Sequence, residues 1–156
     1  MIDFIEANYA ISAFLLGVVL AQASKPIFLL LIKKKWNPNL ALESGGFPSS
    51  HTSGVASLCI SIGLREGFDS NLFGAILAIS TIIAYDAANV RYYAGQHIQM
   101  TKRLIQDIQE LTETKFDDPI YLTRLKNVLG HKWIEVFGGL IFGLLVGYIL
   151  YIIGGN

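Results

Sequence analysis

The sequence predicts an all-α integral membrane protein: a bundle of about four transmembrane helices with an amphipathic helical segment on its cytoplasmic side. Three observations carry that expectation. Hydrophobic residues make up 53% of the 156 residues and charged residues only 15%, with a mean hydropathy of +0.49, a balance that excludes an ordinary soluble domain. Apolar runs at 9–32, 72–90 and 133–153 are each long enough for the roughly 30 Å of bilayer hydrocarbon. The basic residues are unevenly placed. Lys33, Lys34 and Lys35 follow the first run, and seven more Lys and Arg residues lie between the third and last runs, whereas Arg65 stands beside Glu66 and Asp69 in the loop before the third. By the positive-inside rule, both termini lie outside and the two basic loops in the cytoplasm.

The chain reads as one membrane domain over 1–156. Asp3 and Glu6 replace the basic start of a cleavable signal peptide, so the first span is expected to stay in place. Cys59, the single cysteine, falls in an apolar run and reads as a buried, inert thiol. A net charge of zero gives no reason to expect a nucleic-acid partner. The oligomeric state is left open, a homo-oligomer included.

The first span carries a polar patch of Gln22, Ser24 and Lys25 just before Pro26. A lysine at that depth either faces a wet pocket, where it can meet a phosphate, or snorkels toward the interface that Lys33 to Lys35 mark. Trp36-Asn37-Pro38 ends the helix, and a short loop leads to Ser44-Gly45-Gly46-Phe47-Pro48-Ser49-Ser50-His51. Gly45 and Gly46 allow a tight turn and close approach to a ligand, and Pro48 suits a first helical position. Ser49, Ser50 and His51 then present amides, hydroxyls and an imidazole at a helix N-terminus, the end that favours anions. An ordinary capped turn entering a helix is the other reading.

The second span, 49–64, is short and spans only if the helix starts at Pro48 and tilts little. Its Ser53, Ser57 and Ser61 recur every four residues and read as close-packing positions. In the third span Asp86 and Asn89 share a face, with Arg91 at the cytoplasmic end. An acid at that depth marks a functional site or an ion pair that holds helices together. Residues 96–130 form the cytoplasmic insertion, with Leu104, Ile105, Ile108 and Leu111 at helical spacing. Such a helix packs on the base of the bundle or on the membrane surface. Asp117-Asp118-Pro119 reads as a break before a second short helix, and His97 as a surface histidine.

The last span opens with Gly130-His131-Lys132-Trp133-Ile134-Glu135. His131 and Glu135 lie one turn apart, where a carboxylate can orient an imidazole as nucleophile or base, or simply make a polar helix start. Gly138, Gly139, Gly143 and Gly147 read as helix-packing positions. The predicted topology brings Lys25, His51, Asp86 with Arg91, and His131 with Glu135 to one membrane face, an arrangement suited to phosphoryl transfer.

Pro48-Ser49-Ser50-His51 resembles the Pro-Ser-Gly-His motif of the type 2 phosphatidic acid phosphatase (PAP2) superfamily, and the whole chain resembles its divergent bacterial branch. The likeness runs through Ala21-Gln22 with Lys25, Ser44 to His51, Asp86 with Val90-Arg91, and Leu129 to Val136. What it implies is an enzyme of a bacterial cytoplasmic membrane that hydrolyses a lipid phosphate or polyprenyl diphosphate without metal or other cofactor, through a phosphohistidine. His51 then matches the acid that protonates the leaving group, His131 the nucleophile and Glu135 the carboxylate that orients it. Lys25, Ser49, Ser50 and Arg91 hold phosphate, with Arg124 a second choice of arginine and Asp86 an additional site residue outside the usual motifs. Ser50 stands where the motif has glycine. A lipid-phosphate binding or transport protein without the chemistry, and a structural subunit of a membrane complex, are the rival readings.

Overall fold

The computed structural model describes residues 8–43, 45–112 and 130–154, and among these every regular element is helical. Ser44, the break at Asp117-Asp118 and Arg124 lie outside the described residues. The elements are α1 (Tyr9–Lys33), a 3₁₀ turn (Pro38–Ala41), α2 (Ser50–Glu66), α3 (Asn71–Ala88), α4 (Val90–Thr112) and α5 (Trp133–Ile153). Among the described residues, three stretches are long and apolar enough to cross a membrane: Tyr9–Lys33, Asn71–Thr112, which takes in α3 and α4, and Trp133–Ile153. The protein is an integral membrane protein built from helices.

The short, polar helix α2 is the centre of the bundle. Its 17 residues make about 25 Å at 1.5 Å per residue, and its surroundings are largely protein. Ser49, Ser53, Ser57 and Ser61 are fully buried along one edge. On that edge lie the glycines of α5. A Cβ added to Gly139, Gly143 or Gly147 would come 2.4, 2.2 or 2.5 Å from the carbonyl oxygens of Ser49, Ser53 and Ser57. The two backbones therefore touch, as small residues allow in membrane helices. Alpha-helix α1 closes the other side: Gly17 packs on the Ser53 carbonyl and Ser57 Cβ, and Ser53 Oγ donates to the Gly17 carbonyl at 2.9 Å.

The buried face of α1 explains where its lysine goes. Tyr9, Ala13, Gly17, Ala21 and Lys25 are buried at four-residue spacing, so Lys25 lies on the stripe that meets the bundle. At 1% exposure it is an interior residue and does not snorkel. The helix ends at Lys33, with Lys34 in the left-handed region (φ 54°) returning its amide to the Leu30 carbonyl.

Two expectations about helix ends are corrected. Pro48 does not occupy the first turn of α2. Ser49 is the N-cap, its hydroxyl accepting from the Thr52 amide, and Pro48 precedes it, because a serine oxygen satisfies a free amide that proline cannot. The amphipathic helix, expected from residue 96, starts earlier. It begins at Val90, directly after Asn89, since the Asn89 amide bonds to the Tyr85 carbonyl and the Tyr93 amide to the Asn89 carbonyl, both at 2.9 Å. The φ of Asn89, −116°, lies outside the usual helical range and marks a local break between the two helices. Among the described elements, α4 packs against α3 alone. Met100, Leu104, Ile108 and Leu111 remain exposed, so this face is not packed on the base of the bundle.

Candidate functional site

Four helix ends meet at one end of the bundle, and the loop before α2 shapes their junction. Gly45 and Gly46 take φ values of 86° and 82°, a left-handed conformation natural to glycine. Phe47 then tucks its ring edge-on to Phe28, centroids 5.1 Å apart, and over Gly138, where a Cβ would come within 2.1 Å of the ring. This packing buries Pro48 and Ser49. The Ser49 amide donates to the Glu135 carbonyl at 2.9 Å, which ties the entrance of α2 to the first turn of α5.

His131 is fixed from three directions. Its amide donates to the Ala87 carbonyl at 3.0 Å, its ring is 5% exposed, and Nδ1 lies 2.9 Å from Glu135 Oε2. The same carboxylate oxygen accepts from the Lys132 amide at 3.3 Å, so Glu135 caps its own helix while orienting the imidazole. With Nδ1 engaged, Nε2 is the ring atom left for chemistry. The His51 ring, exposed in the first turn of α2, stands 6.3 Å from the His131 ring at an interplanar angle of 65°.

Cations surround the pair. Arg91, Lys25 and Asp86 all lie within electrostatic range of the His51 imidazole. Arg91 Nε donates to Asp86 Oδ2 at 2.6 Å, across the break at Asn89, and this bond leaves the terminal guanidinium nitrogens to other acceptors. Lys25 Nζ donates to the Glu43 carbonyl at 3.3 Å, and Glu135 also lies within its electrostatic range.

The two serines are already engaged. Ser49 Oγ accepts from Thr52 Oγ1 at 3.1 Å as well as from the Thr52 amide, and Ser50 Oγ donates to Gln22 Oε1. The amides of Ser50 and His51 have no acceptor among the described residues, so the anion-facing donors at this helix end are backbone groups. Lys25, His51, Asp86, Arg91, His131 and Glu135 are thus brought together, while the Ser49 hydroxyl is turned into the cap.

Sequence reasoning gave no role to two groups. Gln22 bonds Ser50 and also donates Nε2 to the Glu43 carbonyl at 3.0 Å, and that carbonyl in turn takes Lys25. Gln22 was visible as a polar residue inside an apolar span, three positions before Lys25 on nearly the same face. Nothing in the sequence points to a main-chain oxygen at Glu43.

Comparison with known proteins shows the family of the chain. The chain is 30% identical over 148 residues to YuiD of Bacillus subtilis (strain 168), described as an uncharacterized membrane protein, with 92% of this chain and 94% of that one covered. No solved structure matches. The model of the divergent PAP2 family matches residues 6–146, a range that takes in all four helix ends of the site, and the chain belongs to that family.

Proposed function

We propose that the protein is a metal-independent phosphatase of lipid phosphates or polyprenyl diphosphates, working through a phosphohistidine. The observation that carries the reading is the adjacent pair of imidazoles, ring centroids 6.3 Å apart, one of them held at Nδ1 by Glu135. In the first step His131 Nε2 attacks phosphorus, the P–O bond to the lipid breaks, and protonated His51 gives its proton to the leaving oxygen. In the second, His51, now neutral, takes a proton from water as its oxygen attacks phosphorus, and the P–N bond breaks to release phosphate. Lys25, Arg91 and the free amides of Ser50 and His51 stabilise the phosphoryl oxygens, where electrostatics supplies much of the catalysis.

The placement of charge in the sequence supports a site on the cytoplasmic face, termini outside, in a bacterial cytoplasmic membrane. In that arrangement the chain is one domain, with α2 as a short span shielded by its neighbours. The test is phosphate release by purified protein in detergent from a panel of lipid monophosphates and polyprenyl diphosphates. Release that is abolished in His131→Ala supports the reading, and no release from any of them defeats it.

Binding or transport without hydrolysis is the second reading. It is favoured by the Ser50 side chain, which fills the place of the motif glycine and closes on Gln22. Under it, lipid-phosphate binding survives His131→Gln and is lost in Lys25→Met.

A further inference from the structure

The segment that leads into α5 leaves a second recess on its outer side. Gly130 lies against the backbone of Arg91 and Tyr92, so closely that a Cβ would come 2.2 Å from the Tyr92 nitrogen. Beside this junction Ala88, Tyr92, Lys132 and Trp133 line a cleft of about 220 Å³. His131 turns inward, whereas Lys132 and Trp133 are exposed. Among the described residues no carboxylate pairs with the Lys132 ammonium.

The surroundings combine an ammonium unpaired among the described residues, two aromatic rings with polar edges, and an apolar wall that continues along the membrane helix. Trp133 lies against Phe137 with ring centroids 6.0 Å apart, and Phe137 and Ile141, each a further turn along α5, are exposed. Tryptophan and tyrosine favour the level of lipid headgroups, and a lysine there attracts anionic ones. The volume is below the roughly 300–1,000 Å³ of pockets that enclose a small molecule, which suits a headgroup whose chains stay outside along α5.

We propose that the cleft formed by Ala88, Tyr92, Lys132 and Trp133 binds the phosphate-bearing headgroup of an anionic phospholipid. This site is separate from the histidine pair and does not depend on the phosphatase reading. Free phosphate would satisfy Lys132 and leave the aromatic and apolar walls without a partner, so the lipid is the better fit.

Fluorescence quenching in lipid nanodiscs tests it. With Trp36→Phe as background, Trp133 is the sole tryptophan. Its quenching is titrated with dibrominated phosphatidylglycerol and, separately, with dibrominated phosphatidylcholine. The expected result is a preference for the anionic lipid of about fivefold, the scale of one lysine near a membrane surface. Lys132→Gln should remove it, and Lys132→Arg and Lys34→Gln should keep it. Equal quenching by the two lipids in the Trp36→Phe protein overturns the proposal without recourse to any lysine variant. So does an equal loss in Lys34→Gln, which would show general surface attraction, or relief of quenching by inorganic phosphate, which would show a site for the free anion.

Discussion

The Ser49 amide donates to the Glu135 carbonyl at 2.9 Å, and through this bond the N-cap of one helix rests on the first turn of another. His51 sits in the first turn of α2 and His131 just before the N-cap of α5, so this main-chain contact ties together the two segments that carry the histidines. Glu135 has a second role through its side chain, which holds His131 Nδ1. Glu135→Gln keeps the size and the backbone bond but weakens control of the imidazole. Under the proposed mechanism, initial rates of phosphate release should fall by roughly 10²–10⁴-fold, with thermal stability little changed. An unchanged rate would remove Glu135 from the site.

Lys25 gives a test in which function and stability move apart. The residue is 1% exposed, and its ammonium donates to the Glu43 carbonyl at 3.3 Å. Burying a charge carries a desolvation cost that an apolar side chain of similar length does not. Lys25→Met is therefore expected to unfold in detergent at the same or a higher temperature while its phosphatase activity drops about a hundredfold or more. A variant that loses stability and activity together would make Lys25 a structural residue.

The seam between α2 and α5 is the most sensitive part of the fold. A methyl group at Gly143 would stand 2.2 Å from the Ser53 carbonyl oxygen and 2.8 Å from the Ala56 Cβ, so the helices must separate. Gly143→Ala is expected to lower stability by roughly 1–3 kcal/mol, the usual cost of overpacking, read as a lower unfolding temperature. Gly74 has open space around its Cβ direction, and Gly74→Ala should be neutral or slightly stabilising in a helix interior. The comparison separates contact from propensity.

These residues also show what could be read from sequence. The Ser53, Ser57, Ser61 spacing and the glycines of the last span announced helix packing, and the pairing of Ser53 with Gly143 completes it. Lys25 could be read two ways because hydropathy gives depth but not direction; the four-residue stripe of small residues before it, Ala13, Gly17 and Ala21, held the answer. The junction of α3 and α4 at Asn89 is hard to read because the composition changes from apolar to amphipathic there, which resembles the end of an element even though hydrogen bonds through Asn89 link the two helices. Pro48 was misplaced because proline at a first helical turn and serine at a cap are both good sequence signals, and only packing of Phe47 and the Ser49–Thr52 bond decides between them.

Asp86 engages the Nε of Arg91 at 2.6 Å, which leaves the outer edge of the guanidinium to the phosphate that the proposed mechanism assigns to it. Asp86→Asn should leave the cation in place but less well aimed, raising KM for the lipid phosphate by about tenfold, while Arg91→Ala should cost substantially more in kcat/KM. Steady-state rates over a range of substrate mole fractions in mixed micelles distinguish the two. Equal effects of both variants would mean that Arg91 reaches no phosphate and the pair only braces the α3–α4 break.

The central claim is that His131 carries the phosphoryl group and His51 moves the proton. Rapid acid-free quenching of the enzyme with radiolabelled lipid phosphate, followed by proteolysis and mass spectrometry, tests it most directly. The account predicts an acid-labile, base-stable phosphoryl group on His131, absent from His131→Gln. Phosphate release with full turnover and no label on residue 131, or a label on His51 instead, would contradict it.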